Sequence, residues 1–193
     1  MMKRGEVINK LIKKYNYETY LEIGVRHMET FKKVNLPEEN KESIDPNYDC
    51  VTYKLTSDEA FKTFSENKKW DIIFIDGLHS SEQVERDIEN SLKHLNENGA
   101  IVCHDMLPPN SDFLSLSRCG DGWEAFAKLR TTNENLEMYV VDTDYGCGVI
   151  RVGKQTLYES KTPTDHIDFS YFLENKKKLM NIKSTEEFKE LMK

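Results

Sequence analysis

Two short apolar runs in the chain are each followed within two residues by an acid, and a histidine stands close to each acid. The runs cover residues 72–75 and 100–103. Apolar runs of this length, bounded by turn residues, are typical of strands buried inside a parallel sheet. Ligands of such sheets bind beyond the carboxyl ends of the strands. The polar side chains that follow the two runs are therefore predicted to meet in one crevice, and they are Asp76, His79, His104 and Asp105.

The rest of the chain up to this point alternates between helical and strand patterns. The spacing of apolar residues predicts a helix at 5–15, a short helix at 27–34, and strands at 19–23, 43–44 and 51–55. Thr56 with Glu59, and Ser80 with Gln83, have the spacing of a capping box, which predicts a helix after each pair. This alternation indicates an α/β fold, with a parallel sheet wrapped by helices.

The last strands depart from this alternation. Residues 136–142 and 146–152 both have strand patterns, and only residues 143–145 lie between them. A parallel connection needs about a dozen or more residues, so these two strands must form an antiparallel hairpin. The remaining residues have helical patterns, and we interpret 156–193 as a C-terminal helical appendage to a domain of residues 1–155.

Composition and charge limit the classes of function. The chain has 193 residues and a net charge of −7, which disfavours binding to nucleic acid. No apolar stretch approaches the ~20 residues of a membrane-spanning helix, and the N-terminus lacks the pattern of a signal peptide. We therefore expect no membrane partner and a cytoplasmic location. The cysteines are too widely spaced for a metal knuckle and are expected to be reduced thiols.

A series of short segments carries a more specific pattern, and the segments are residues 20–26, 44–46, 56–59, 74–79, 103–105, 120–123 and 141–148. In this order, and together with the terminal hairpin, they resemble the class I S-adenosylmethionine-dependent methyltransferases, in particular a short bacterial-type subset similar to sugar O-methyltransferases. The fold that the resemblance implies is Rossmann-like, with a seven-stranded, mostly parallel sheet that ends in the antiparallel hairpin.

The resemblance implies that S-adenosyl-L-methionine is the cofactor and that its binding residues are Glu22, Gly24, Asp45, Ser57, Asp58 and Asp76. Glu22 would lie near the ammonium group of the cofactor. Asp45 would accept hydrogen bonds from both ribose hydroxyls, and Asp58 one from the exocyclic amine of adenine. The alternative for Asp45 is a turn role, because Asp-Pro commonly opens a turn.

The turn after the first strand departs from the family pattern. Many members have E-x-G-x-G-x-G there, whereas this chain has Gly24 followed by Arg26 and Met28 in the later glycine places. The connection between the second and third strands is also short, so one helix of the family is predicted to be missing.

Asp76, His104 and Asp105 match, by position, the three ligands of divalent-dependent O-methyltransferases, which implies Mg²⁺ or another divalent metal. Such an ion would lower the pKa of the acceptor hydroxyl. The alternative is that the two carboxylates cap helices and tether loops. The candidate catalytic residues are His104, His79 and Asp76, with the histidines as general bases. His79 has the alternative role of a loop histidine bonded to the backbone.

Other residues are given simpler roles. Segment 108–118 is interpreted as a lid or an ordinary surface loop, and the helical spacing of Trp123 favours burial. His27, His94 and His166 are assigned no function.

The leading hypothesis is a methyltransferase that acts on an oxygen of a small molecule or glycan, with assistance by a metal left open. One alternative is a non-catalytic nucleoside-binding module, which the loss of turn glycines would favour. The other is a metal-dependent hydrolase that uses the Asp/His cluster. Assembly into a homo-oligomer is also left open.

Overall fold

The computed structural model describes residues 2–159 and 167–193, so His166 lies outside the described residues. A seven-stranded sheet forms the centre, in the order β2-β1-β3-β4-β6-β5-β7. The strands are β1 (Tyr20–Ile23), β2 (Lys41–Ile44), β3 (Trp70–Ile75), β4 (Leu95–Cys103), β5 (Leu136–Val141), β6 (Cys147–Val152) and β7 (Ile182–Lys183). The helices are α1 (Arg4–Tyr15), α2 (Ser57–Thr63), α3 (Ser81–Lys93), α4 (Trp123–Thr132), α5 (Phe169–Leu179) and α6 (Thr185–Leu191).

The parallel strands end in register. β1, β2, β3 and β4 run parallel, and Ile23 is paired with Ile75, which in turn is paired with Cys103. The residues that follow these positions therefore leave the sheet at the same edge. The first prediction from the sequence, that Asp76 and His104 meet at one edge, is confirmed by this register.

The antiparallel hairpin brings a fifth chain segment to that edge. β6 lies between β4 and β5 and is antiparallel to both, with Gly148 opposite Cys103. The turn between β5 and β6 therefore opens beside the carboxyl end of β4. As a result Asp144, in that turn, lies close to residues that follow β3 and β4.

The seventh strand is a different one from that predicted. Residues 51–55 contribute only an isolated bridge between Tyr53 and Ile44, whereas β7 at the opposite edge pairs parallel with β5. Residues 45–52 are too few for a parallel crossover, which explains why the predicted strand is reduced to one bridge. No helix lies in residues 45–52, between β2 and this bridge, which is where the missing helix was predicted, and α2 begins only after the bridge. The short helix predicted at 27–34 is a single 3₁₀ turn, Phe31–Lys33.

Helices cover both faces of the sheet. Because side chains alternate along a strand, Ile73 packs in the apolar cluster with α2 to α5, and Ile72 packs in the cluster with α1 and α6. The fully buried Leu11 of α1 illustrates the stabilisation, since burying such a side chain contributes ~1.5–3 kcal/mol. The C-terminal helices also belong to these clusters, through the buried Phe172 and Phe188.

Within the described residues, no helix has both the length and the apolar character needed to cross a membrane.

Candidate active site

A cleft of about 1240 Å³ opens along the carboxyl edge of the parallel strands. Its walls come from the start of α1, the turns after β1 to β4, the buried face of α3 and the β5–β6 turn. Most pockets for small molecules measure ~300–1,000 Å³, so this cleft has room for a nucleoside together with a second small molecule.

Gly24 is required by the packing of two turns. It has φ +81°, and a Cβ atom at this position would lie 2.3 Å from the carbonyl oxygen of Asp76. Only glycine accepts both the left-handed conformation and this approach. The single glycine retained in the turn therefore brings the ends of β1 and β3 together.

The later glycine places keep a left-handed backbone with larger residues. Arg26 has φ 45° and Met28 has φ 60°. A left-handed conformation costs about 1–2 kcal/mol for a residue with a Cβ atom. The backbone of this turn therefore has a conformation that favours glycine, although residues 26 and 28 are not glycine.

Asp45 lies at the end of β2 and is buried. Its Oδ2 accepts a hydrogen bond from the backbone N–H of Val25 at 3.1 Å, and its Oδ1 accepts one from Asn47 at 2.8 Å. The carboxylate therefore ties the turn after β1 to the end of β2. Each oxygen still has a lone pair available, and Asp45 lines the cleft.

Glu22 also lines the cleft, with 1% of its surface exposed. The Tyr20 hydroxyl donates to its Oε2 at 2.5 Å. Burial raises the pKa of Glu22 to about 8, because the charged form loses its hydration. Glu22 is therefore mostly protonated at neutral pH.

The end of the cleft beyond β2 contains one predicted residue and one that the sequence reasoning missed. Ser57 lines the cleft, while the Asp58 carboxylate accepts hydrogen bonds from Gln83 at 3.3 Å and Arg86 at 3.2 Å. Asp87 on α3 lines the cleft as well.

Asp87 is almost fully buried, and its Oδ2 has no hydrogen-bond partner among the described residues. Burial raises the pKa of its carboxyl to about 6. The signal that could have found it is an acid on the same helix face as the buried Val84, Ile88 and Ser91. A buried carboxyl oxygen without a donor is costly, which makes this position a candidate acceptor for a ligand.

The polar cluster predicted from the two apolar runs lies at the centre of the cleft. His104 Nδ1 is 3.1 Å from Asp76 Oδ1 and 3.2 Å from Asp105 Oδ1. Burial alone would lower the pKa of His104, but the charges of Asp76 and Asp105 outweigh it and raise the pKa to about 10. Burial would raise the pKa of Asp76, but His104 and other donors hold it well below its usual range. Asp76 and His104 therefore form a buried ion pair at neutral pH.

His79 lies beside this pair and is more accessible. Its side chain is 21% exposed, compared with 3% for His104. Its Nε2 is 3.4 Å from Asp76 Oδ1, and its Nδ1 is hydrogen-bonded to the Arg118 carbonyl oxygen. Burial would lower the pKa of His79, but Asp76 raises it overall. The bond to Arg118 fixes the ring, so that Nε2 is the nitrogen left for other groups.

Arg4, in the first turn of α1, is the second residue that sequence reasoning missed. Its Nη1 lies 2.6 Å from Asp76 Oδ2 and 3.2 Å from His104 Nδ1, and its Nε is 3.0 Å from Asp144 Oδ2. No local pattern could have found it, because these contacts join residues 72 to 140 positions apart. The guanidinium thus bridges two carboxylates that follow different strands.

The contacts of this cluster can be compared with those that the predicted divalent metal would need. The three predicted ligands, Asp76, His104 and Asp105, do converge, and Asp76, His79 and Asp105 offer ligand atoms within 4.8 Å of one another. Their contacts do not fit a resident divalent ion, however, because the Arg4 guanidinium already lies 2.6 Å from Asp76 Oδ2 and brings a fixed positive charge to the central predicted ligand.

The other end of the cleft has an apolar, aromatic wall. The Phe113 and Tyr145 rings lie 5.4 Å apart, and the Arg118 guanidinium is 4.8 Å from the Phe113 ring centre. Leu78 and Tyr145 are about half exposed. Phe113 belongs to a 3₁₀ turn, Ser111–Phe113, in the segment interpreted as a lid or surface loop. This wall gives the cleft an open apolar end opposite the end that contains Asp45.

Solved structures share this architecture. An O-methyltransferase from Bacillus cereus, in complex with S-adenosylhomocysteine, is 14% identical, with 80% of this chain and 83% of that chain covered and a TM-score of 0.59. TomG, an O-methyltransferase from Streptomyces achromogenes involved in tomaymycin synthesis and solved with S-adenosylmethionine, is 13% identical, with 78% and 79% covered and a TM-score of 0.60. Identities this low show a common fold.

Sequence comparison covers the part of the chain that builds the end of the cleft containing Asp45. No curated protein sequence matches this chain significantly. Residues 20–106 match a family model described as a methyltransferase domain. The matched region contains β1 to β4 with the turns that hold Gly24, Asp45 and Asp76. This match and the shared fold make residues 20–106 similar to a methyltransferase domain.

Proposed function

We propose that this protein transfers a methyl group from S-adenosylmethionine to a hydroxyl oxygen of a small molecule or glycan. The observation that carries the proposal is the continuity of the cleft. One end offers the Asp45 carboxylate and an unpartnered oxygen of Asp87, which suit a nucleoside, and the other offers an apolar wall beside titratable side chains. The two solved structures with S-adenosylhomocysteine and S-adenosylmethionine support the choice of cofactor.

The nucleoside would occupy the end of the cleft that contains Asp45. The free lone pairs of Asp45 suit the two ribose hydroxyls, because a carboxylate is a bidentate acceptor for a diol. The unpartnered Oδ2 of Asp87, together with Ser57, suits the exocyclic amine of a purine. Glu22 suits the ammonium group, which would favour its ionised form. When bound, the cofactor supplies an electrophilic sulfonium methyl group.

The acceptor would lie between the aromatic wall and the polar cluster. The hydroxyl oxygen would bond to the methyl carbon as the carbon–sulfur bond breaks and S-adenosylhomocysteine leaves. His79 Nε2 is the side-chain nitrogen best placed to receive the hydroxyl proton. His79 is more exposed than His104, and its ring is already oriented by the Arg118 carbonyl. Most of the rate enhancement would come from positioning the two reactants and excluding water.

Titration calorimetry with S-adenosylhomocysteine tests the cofactor site. We expect micromolar binding that Asp45→Asn weakens about tenfold or more, or about 1.4 kcal/mol. Asp49→Asn is the matched control, since Asp49 is an exposed acid in the same connection that pairs with Lys54. Absence of binding to the unmodified protein would overturn the proposal.

Methyl transfer from labelled S-adenosylmethionine to a panel of hydroxylated small molecules and glycans tests the reaction. Cofactor binding without transfer to any acceptor would favour the nucleoside-binding module over the enzyme.

A further inference from the structure

The first turn of α1 holds Arg4 at the polar cluster of the cleft. α1 starts at the mouth of the cleft, and the Thr143 hydroxyl and the Met2 carbonyl oxygen are hydrogen-bonded. The backbone N–H of Arg4 donates to Asp144 Oδ2 at 3.1 Å. The first turn of the helix is thus fixed to the β5–β6 turn, and the side chain of Arg4 is directed into the cluster.

The guanidinium engages one oxygen of the central predicted ligand. Asp76 Oδ2 is 2.6 Å from Arg4 Nη1, and Asp76 Oδ1 is 3.1 Å from His104 Nδ1. Both oxygens of Asp76 therefore have partners within the protein. Asp144, the other acid within reach, accepts from Arg4 Nε at 3.0 Å.

Arg4 also supplies positive charge to the acids of the cluster. The acids are Asp76, Asp105 and Asp144, and the Arg4 guanidinium contacts Asp76 and Asp144. A divalent ion binds where carboxylates are left uncompensated, because dehydration of the ion must be offset by negative charge. Here the fixed charge of Arg4 lies between two of the three carboxylates.

We propose that Arg4 is the resident cation of the active site and, by engaging Asp76, replaces the divalent metal predicted at Asp76, His104 and Asp105. The site is then assembled without a metal, and Arg4 acts as a positioning residue that holds Asp76 and the β5–β6 turn together. The inference rests on the proposed function only where it concerns catalysis, because the cation itself can be tested by binding.

The first measurement uses the unmodified protein. Titration with Mn²⁺, followed by electron paramagnetic resonance of the free ion, should detect no binding in the micromolar range. The affinity for S-adenosylhomocysteine should be unchanged after exhaustive chelation. A single Mn²⁺ bound at micromolar concentration and lost in Asp76→Asn would overturn the inference, whatever the stability of other variants.

The second measurement removes the guanidinium. Arg4→Ala should bind Mn²⁺ at least about tenfold more tightly than the unmodified protein, because the carboxylates are no longer compensated. Addition of Asp76→Asn to Arg4→Ala should abolish that gain. Lys14→Ala, which removes one positive charge from the exposed side of the same helix, should leave Mn²⁺ binding unchanged. Equal Mn²⁺ binding by Arg4→Ala and Lys14→Ala would contradict the proposal.

Failure of the inference can be distinguished from failure of the proposed function. A protein that binds S-adenosylhomocysteine and also binds Mn²⁺ through Asp76 retains the function and refutes the role of Arg4. A protein that binds neither ligand refutes the function and leaves Arg4 as the cation of a different site.

Discussion

Gly24 and Asp76 approach so closely that a Cβ atom on residue 24 would lie 2.3 Å from the Asp76 carbonyl oxygen. The contact joins the turns after β1 and β3, which form the floor of the cleft. Its consequence is that the glycine is needed for folding as well as for access of a ligand to the backbone.

Gly24→Ala is therefore expected to destabilise the protein by ~2 kcal/mol or more, because it combines a left-handed conformation with a backbone clash. In thermal unfolding this corresponds to a fall in Tm of about 4–8 °C. Gly5→Ala is the matched control, since its Cβ would make an ordinary 3.5 Å contact. A Gly24→Ala variant as stable as Gly5→Ala would show that the two turns can separate without cost.

Arg26→Gly and Met28→Gly should behave in the opposite way. Both residues have positive φ, so glycine relieves steric strain that exceeds the entropy it adds to the unfolded chain. Each variant should be as stable as the unmodified protein or more stable by ~0.5–1 kcal/mol in urea unfolding. A loss of more than ~1 kcal/mol would mean that the side chains make stabilising contacts that outweigh the strain.

The raised pKa of Glu22 predicts a particular dependence of stability on pH. In the unfolded chain this carboxyl ionises near its ordinary value of 4.5, whereas burial raises the pKa in the folded protein to about 8. The folded state therefore keeps a proton that the unfolded state releases, and stability falls as the pH rises from 4.5 to about 8. Glu22→Gln removes this contribution to the pH dependence of stability, because glutamine does not ionise.

The free energy of unfolding of Glu22→Gln, relative to that of the unmodified protein, should therefore increase between about pH 5 and about pH 8. Urea unfolding at several pH values measures it. A difference that stays constant across this range would mean that Glu22 is ionised in the folded protein.

His79→Gln should reduce kcat by about 10²–10⁴-fold if His79 receives the hydroxyl proton. The affinity for S-adenosylhomocysteine should change less than about twofold, because the nucleoside lies at the other end of the cleft. Activity within a few-fold of the unmodified enzyme would remove His79 from the reaction and leave transfer to positioning alone.

Asp87→Asn should weaken S-adenosylhomocysteine about tenfold, because the amide presents a donor where an acceptor oxygen is now free. Glu89→Gln, an exposed change on the same helix, is the control. If the two variants bind alike in calorimetry, the purine amine is recognised elsewhere in the cleft.

Much of the fold follows from local patterns. The side chains of the four-residue apolar runs before Asp76 and His104 can be buried only in a sheet that is covered on both faces. The three-residue gap at 143–145 permits only a hairpin. These features placed the cluster correctly. The edge strands were harder to predict from the sequence. The single bridge at Tyr53 and the two residues of β7 depend on tertiary packing for their geometry.

The site was only partly predictable for the same reason. Asp76, His79, His104 and Asp105 follow strands whose ends can be located in the sequence. Arg4 has no such mark, since its partners lie on other elements. Asp87 carried only a weak signal, which is an acid on a buried helix face. The resemblance implied Asp58 as the adenine ligand instead, and the Asp58 carboxylate accepts a hydrogen bond from Arg86.

The two ends of the cleft come from different parts of the chain, which has an evolutionary consequence. Asp45, Ser57 and Asp87 come from the first half of the chain, while Phe113, Arg118 and Tyr145 come from later loops. In the proposed enzyme, changes in the later loops would retune which molecule is modified, while the donor pocket would be inherited intact. New acceptors could then arise without rebuilding the part that all of them share.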